Sequence, residues 1–357
     1  MFDKRAWIRL PRNVVIGHGV IEETATALSD LHLDGVPLIV TSSTPKTIAA
    51  ERIAKQLEYD PPIELIDEAK FASVERVIDR AETESVDFLL GVGGGTVIDV
   101  AKMAADDIGV GFVSIPTTAS HDGIVSGRGS IPQGDTRHSV AADPPLVVIA
   151  DTTIIASAPW RFITAGCADI ISNHTAVRDW QLAHRLKNVE YSEYAGALSR
   201  MTAEMLVGNA DSIKKGLEES AWIVMKALVS SGVAMSIADS SRPASGAEHL
   251  ISHQLDRIAP ETALHGHQVG VASITTEYLH SGQDGEWRAV RDALASIGAP
   301  TTAEALGHTT EDLLEAMTTA HEIRDRYTIL GNGVSEAAAR EAAIATGVIW
   351  LSFTMSD

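Results

Sequence analysis

Five short runs of β-branched and aliphatic residues, each closing on small or polar ones, recur through the first ~160 residues and restrict what this chain can fold into. They occupy residues 14–16, 37–41, 86–92, 111–115 and 146–150, and the segments between them carry helical spacing. Strand and helix in alternation is the rhythm of a parallel sheet covered by helices. The runs close on Thr41-Ser42-Ser43, Gly93-Gly94-Gly95 and Thr117-Thr118-Ala119-Ser120. In an open parallel sheet such carboxyl-terminal loops are where ligands bind. Residues 126–131, followed by the turn Pro132-Gln133-Gly134-Asp135, predict a β-hairpin that interrupts the winding.

After Pro159 the pattern changes. The sequence becomes rich in Ala, Leu, Glu and Met at helical spacing, with breaks at Gly208, Pro243, Gly282 and Pro300 and no strand signal. At 357 residues the chain is long enough for two domains. The expected architecture is a Rossmann-like α/β domain over residues 1–160 and an all-helical domain over 161–357, joined by a short connection at 158–162. The active site is expected in the cleft between them. No internal repeat, low-complexity segment or long linker is present.

The 48 acidic residues against 28 basic ones leave a net charge of −20, which disfavours nucleic acid as a partner. Two readings of that surface stay open. One is adaptation to high salt, where carboxylates stay hydrated and screening relieves their repulsion; the other is an ordinary acidic cytosolic enzyme. Cys167 is the only cysteine and excludes an intrachain disulfide, and Met1-Phe2-Asp3-Lys4-Arg5 leads into no apolar signal stretch. A cytoplasmic location is therefore expected. No apolar run approaches the ~20 residues of a membrane span, and the longest, such as 347–353, have the length of core helices.

The first chemical signal is Gly91-Val92-Gly93-Gly94-Gly95-Thr96, which follows a buried run and opens a helix through Val97, Ile98, Asp99, Lys102 and Met103. Glycines let a backbone approach a phosphate closely, and a helix start offers N–H groups and a positive dipole. The spacing is not GxGxxG, so a diphosphate cradle and a plain tight turn both remain readings. Asp99 either favours the dipole or touches a ligand, and Lys102 reads as a surface residue. No carboxylate follows Thr41-Ser42-Ser43, where a dinucleotide site usually carries the acid that binds the adenosine ribose. Without it nothing repels a 2′-phosphate, so NAD and NADP are both expected to be accepted.

In the helical half, Asp169 lies in Gly166-Cys167-Ala168-Asp169, His249 and His253 stand four apart on one helix face, and His265 opens His265-Gly266-His267. One carboxylate and two imidazoles suit a divalent metal with positions left for substrate oxygen or water. Thirteen histidines also generate accidental pairs, so surface histidines and a capping aspartate are the alternative. His121 and His174 are given no ligand role.

Taken in chain order, Gly93-Gly94-Gly95-Thr96-Val97-Ile98-Asp99-Val100-Ala101-Lys102, Pro116-Thr117-Thr118-Ala119-Ser120-His121-Asp122-Gly123, Asp169, His249 and His265-Gly266-His267-Gln268-Val269 resemble one superfamily. It comprises the iron-containing alcohol dehydrogenases, glycerol dehydrogenases and dehydroquinate synthases. Within it, Ser120-His121-Asp122-Gly123-Ile124-Val125-Ser126 and Arg324-Asp325-Arg326-Tyr327-Thr328-Ile329-Leu330 are similar to the archaeal sn-glycerol-1-phosphate dehydrogenases, and the likeness covers nearly the whole chain. The resemblance implies reversible hydride transfer between NAD(H) or NADP(H) and dihydroxyacetone phosphate, giving sn-glycerol 1-phosphate for archaeal ether phospholipids. A glycerol dehydrogenase acting on unphosphorylated glycerol or dihydroxyacetone is the nearest alternative. A dehydroquinate synthase-like lyase and a non-catalytic nucleotide-binding protein are more distant ones.

Position by position, the resemblance assigns Asp169, His249 and His265 to metal. It assigns Gly93, Gly94, Gly95, Thr96, Val97, Ile98, Asp99, Thr117, Thr118, Ala119, Ser120 and Ser126 to the cofactor. Asp122, Asp169 and His253 fall to the substrate, with Asp122 and His253 as the catalytic pair. Iron-type relatives place a fourth ligand histidine one turn after the aspartate, where this chain has Asn173. Three protein ligands suit catalytic Zn2+ better than a four-ligand iron site. The implied chemistry has Zn2+ polarising the carbonyl and hydride arriving from a nicotinamide over the loop at 117–126. The proton comes through water or His253, or His253 only hydrogen-bonds the substrate. Arg324 and Arg326 are candidates for the substrate's phosphate, with pairing to surface carboxylates as the alternative. A homo-oligomer without membrane insertion is expected.

Overall fold

The computed structural model describes residues 7–58, 60–133 and 136–350. Strands form at the five apolar runs and at three further places: β1 (Asn13–Gly17), β2 (Pro37–Thr41), β3 (Ile63–Leu65), β4 (Phe88–Gly93), β5 (Gly111–Pro116), β6 (Arg128–Gln133), β7 (Thr136–Ala141) and β8 (Val147–Asp151). Six of them make one parallel sheet in the order β1-β8-β5-β4-β2-β3. Strands β2, β4 and β8 are buried along their whole length, which is why they read as continuous apolar runs and not as alternating ones. Ile39, Leu90, Val92, Val113, Ile115, Val147 and Ile149 carry the core from the sheet, packed against Ile21, Leu28, Ile53 and Ile154.

Strand β3 carried no usable signal. It has three residues behind Pro61-Pro62, and it forms because Ile63 pairs with Ile39 of the buried β2. From β2 the chain runs outward to β3 at one edge, whereas β4 leads to β5 on the other side. Thr41 and Gly93, at the carboxyl ends of β2 and β4, thus flank a topological switch point, where open α/β sheets bind ligands. The expected hairpin forms from β6 and β7, paired antiparallel from Arg128 opposite Ala141 to Gln133 opposite Thr136. Its turn residues Gly134 and Asp135 lie outside the described residues, as do Met1 to Arg5.

The chain divides into two compact units, Met1–Gly166 with Ile213–Ser241, and Cys167–Ser212 with Arg242–Asp357. This differs from a single cut at residue 160. The helix Glu218–Ala238 belongs to the first unit, packed on the Thr152–Ser157 helix, the Asp122–Ile124 turn and β1. It buries Ala221, Val224, Met225, Leu228 and Met235, and a Cβ on its Gly232 would lie 3.0 Å from Val125. The same helix corrects the expectation that no run reaches spanning length. At 21 residues it is long and apolar enough by length and composition, and half of that stretch is buried, as in a core helix. In the other candidate run, 347–350 is not helical and 351–353 lie outside the described residues.

The second unit is helical throughout its described residues, with Glu193–Asn209, Ala247–Ile258, His265–Ser281, Trp287–Ile297, Thr310–Thr319 and Glu336–Ala345 as its main later helices. The anticipated breaks act as caps or turns. Pro243 sits in the one-turn helix Arg242–Ala244, and Gly282 ends His265–Ser281 at φ 68°. Gly208 instead lies inside the last turn of Glu193–Asn209. Thr309 and Asp312 form a reciprocal capping box at the start of Thr310–Thr319. Cys167 is buried in Trp160–Lys187, and burial pushes its thiol up to about 12, so it stays neutral and inert.

Candidate functional site

Three helices of the second unit bring Asp169, His249 and His265 together, so that one ligand atom from each lies within 4.8 Å of the others. His249 Nε2 is 3.6 Å and His265 Nε2 3.9 Å from the same oxygen, Asp169 Oδ1. The opposite ring nitrogens are committed elsewhere. Nδ1 of His249 donates to Glu248 Oε1 at 2.9 Å. Ser252 Oγ gives its proton to Gln268 Oε1 and so accepts from His265 Nδ1 at 3.0 Å. Both imidazoles are thereby held in the tautomer that presents an Nε2 lone pair toward the carboxylate. Burial, aided by the nearby Arg324 and Arg326, lowers the His249 pKa to about 3, so the ring is neutral as a metal ligand must be. Two neutral imidazoles and one carboxylate converging on one point fit a divalent cation.

The supports of this centre were not singled out from sequence. Glu248 is fully buried, and its Oε2 accepts from Thr175 Oγ1 at 2.9 Å while Oε1 also takes the Gly246 N–H. Burial raises its pKa against those bonds. Asp179 takes the Ala247 N–H at 2.7 Å, the Ile329 N–H at 2.6 Å and His280 Nε2 at 3.0 Å, fixing the start of the His249 helix. The one available signal was adjacency: Glu248 precedes His249, and Ser252 follows it by three residues. His253 lies alongside, its ring stacked 5.7 Å from His265. Asn173 is buried one turn after Asp169. His174 joins a separate ion cluster with Glu277 and Glu286, and His121 lies in the first unit.

The glycine turn after β4 owes its composition to crowding. None of Gly93, Gly94 and Gly95 has positive φ. A Cβ would meet Val97 at 2.6 Å from Gly93, Thr118 Oγ1 at 3.2 Å from Gly94, and His121 Nε2 at 1.9 Å from Gly95. His121, whose Nδ1 accepts the Gly123 N–H at 2.9 Å, therefore lies over the first residue of the Gly95–Ile108 helix. The opening N–H groups of that helix have no intrahelical acceptor, as an anion site requires. Thr96 is exposed there, while Val97 and Ile98 turn their side chains inward, and the Ile98 N–H bonds Gly94 O at 3.1 Å.

Thr117 is buried and its N–H bonds Gly93 O at 2.9 Å, tying the loop after β5 to the turn after β4. Ala119 is buried and Thr118 and Ser120 are half-buried beside it. Ser126 is fully buried and its Oγ has no hydrogen-bond partner among the described residues, which suits a group that receives a ligand. Asp122 Oδ2 accepts from Ser231 Oγ at 2.7 Å. Burial raises the Asp122 pKa, and Ser231, His121 and Lys102 oppose the rise.

One residue of this helix, Lys102, stands differently from expectation, and Asp99 has a further tie. Asp99 faces the hairpin, where its Oδ2 accepts the Ser130 N–H at 3.1 Å. Lys102 is not a surface residue. It is fully buried, 3.5 Å from Asp99 Oδ1, and donates to the carbonyls of Gly123 and Arg128. The pattern missed it because a lysine three residues after an aspartate reads as an exposed helical pair.

Residues 15–159 match the iron-containing alcohol dehydrogenase family. Over 352 residues, 98% of this chain and 100% of the relative, the sequence is 72% identical to a glycerol-1-phosphate dehydrogenase [NAD(P)+] from Haloarcula marismortui. It is equally similar, with the same coverage, to the Natronomonas pharaonis protein of that name. Among solved structures, a probable glycerol dehydrogenase from Sinorhizobium meliloti shares the fold with a TM-score of 0.79 at 23% identity, covering 96% of this chain and 98% of its own. The metal cluster, the glycine-bordered switch point and identity sustained over almost the entire length agree: the chain belongs to the glycerol-1-phosphate dehydrogenase [NAD(P)+] family, within the iron-containing alcohol dehydrogenases.

Proposed function

We infer that the chain catalyses reversible hydride transfer between NAD(P)H and dihydroxyacetone phosphate, forming sn-glycerol 1-phosphate for archaeal ether-phospholipid synthesis. The observation that carries this reading is the cluster of Asp169, His249 and His265, with both Nδ1 atoms committed and both Nε2 atoms facing one carboxylate oxygen. We assign Zn2+ to it, since three protein donors leave a coordination position open and Asn173 supplies no imidazole. Bound there, the ion supplies the Lewis acidity that polarises the substrate's carbonyl.

The dinucleotide is assigned to the turn at Gly93, Gly94 and Gly95, the backbone of Thr96, Val97 and Ile98, and the loop bearing Thr117, Thr118, Ala119, Ser120 and Ser126. Asp99 is assigned to it as well, and its Oδ2 also holds the hairpin through the Ser130 N–H. With no carboxylate at the end of β2, NADH and NADPH are both accepted. Asp122 orients substrate with its own carboxylate fixed by Ser231. His253, beside the His265 ring, hydrogen-bonds the substrate oxygen and passes the proton. The reaction runs in the cytoplasm. A homo-oligomer is supported by Tyr194, Met201 and Met205, exposed at spacings of seven and four along one face of Glu193–Asn209.

Steady-state assays with both cofactors and both the phosphorylated and free ketone, followed by chiral analysis of the product, test this reading. Better turnover of dihydroxyacetone, or a product of the opposite hand, rejects it. Stoichiometric iron in protein purified without added metal removes the zinc assignment alone.

A further inference from the structure

We propose that Arg324 and Arg326 form the site for the substrate's phosphate group, as a pair of guanidinium forks fixed against Ser245 beside the metal centre. The inference rests on a phosphorylated triose being the substrate, and it names what recognises the phosphate. Arg324 Nη2 donates to Ser245 Oγ at 2.7 Å, and Arg326 Nη1 donates to Ser245 O. Arg326 N–H bonds Arg324 O at 2.7 Å, so the two side chains leave one tight turn of backbone. Ser245 is buried, four residues before the metal ligand His249 and just ahead of the twelve-residue helix that carries it.

Position is the first argument. Both guanidiniums are tied to Ser245, so two cations stand at the start of the helix that carries the metal ligand His249. A triose phosphate bound through its carbonyl carries its phosphate only a short link from that ion. Charge is the second argument. A phosphate monoester approaches two negative charges at neutral pH, and two arginines match them. In a chain of net charge −20, an anionic substrate needs such a local reversal of sign to bind at all.

Chemistry is the third argument. A guanidinium presents its donors in a rigid fork that fits two phosphate oxygens, and anchoring one N–H on Ser245 orients the fork before substrate arrives. Arg242, three residues before Ser245, is left out of the site, because its Nη1 turns to the Tyr327 carbonyl at 3.5 Å.

The test uses the metal-loaded enzyme and the variants Arg324→Ala, Arg326→Ala, Arg324→Lys and Arg326→Lys. The readouts are kcat/KM for dihydroxyacetone phosphate relative to dihydroxyacetone, inhibition by inorganic phosphate, and bound metal by mass spectrometry. Hydrogen bonds to charged groups predict that each alanine lowers the preference for the phosphorylated ketone by roughly tenfold or more. Phosphate inhibition weakens in parallel while metal content stays at the wild-type level, and the lysine variants fall between, since they keep the charge and lose the fork. Equal losses on both ketones, or loss of metal, overturn the proposal in favour of a role in holding the His249 helix. Selective wild-type enzyme with unchanged variants overturns the site alone. Wild-type enzyme with neither preference nor phosphate inhibition overturns the substrate reading, and the site with it.

Discussion

Replacing Lys102 by Met removes the ammonium that links the Gly95–Ile108 helix to the loop carrying Asp122 and Ser126. Its Nζ lies 3.5 Å from Asp99 Oδ1, and both side chains are within 5% of full burial. Breaking one partner of a buried pair typically costs about 3–5 kcal/mol, because the remaining charge keeps its desolvation penalty. The carbonyls of Gly123 and Arg128 also lose their donor, each at about 1–3 kcal/mol, though these terms overlap. A loss of about 4 kcal/mol is therefore expected in urea unfolding of the metal-loaded enzyme. Adding Asp99→Asn removes the stranded carboxylate, so the double variant should regain about 2 kcal/mol and leave only the carbonyl deficit. Burial lowers the Lys102 pKa while Asp99 opposes the lowering, so the outcome also reports which protonation state the fold holds. A single variant within about 1 kcal/mol of wild type, or a double variant no more stable than the single, would refute the account of a charged strut.

Three further expectations concern the two halves separately. Ser252→Ala removes the acceptor that sets the His265 tautomer, and metal affinity measured by chelator competition should fall roughly 10–100-fold; an unchanged affinity shows that His265 needs no such orientation. Gly95→Ala drives a Cβ to 1.9 Å from His121 Nε2, so NADH titrations by fluorescence should show weakened binding that His121→Ala in the same chain largely restores; no restoration places the damage elsewhere. Glu277 is buried with Arg178 and His174, which hold its pKa down at about 2 against burial. A depressed carboxylate stabilises the fold above its ordinary pKa of 4.5 and loses that contribution as pH falls toward 2. The shift corresponds to about 3 kcal/mol, reduced to about 2 by screening at the partly exposed Arg178. Acid unfolding of metal-free wild type and Glu277→Gln should therefore differ at pH 6, with the gap narrowing below the ordinary pKa of 4.5 and closing only as pH falls through about 2, and parallel curves contradict it.

Much of this molecule was readable before any coordinates, where one residue type or one period decides the matter by itself. Five strands announced themselves as apolar runs, four of them buried because a parallel sheet is covered on both faces, while β3, three residues long at an edge, had no period to read. Asp169, His249 and His265 were legible as ligand types in a sequence order that resembles a known superfamily. What the sequence did not contain was direction. Nothing local says that Lys102 points inward, that Asp99 serves the hairpin, or that Glu218–Ala238 joins the unit of Met1–Gly166 across the intervening residues 167–212.

The chain alone determined which donors exist, the rhythm of strand and helix, and the absence of an acid after β2, because these are properties of residue identity and spacing. Only the tertiary structure decided that two imidazoles turn the same nitrogen toward one carboxylate, and that two arginines close on the serine before the metal helix. Those facts depend on side chains from segments tens of residues apart meeting at hydrogen-bond distance, and packing sets that meeting where periodicity is silent.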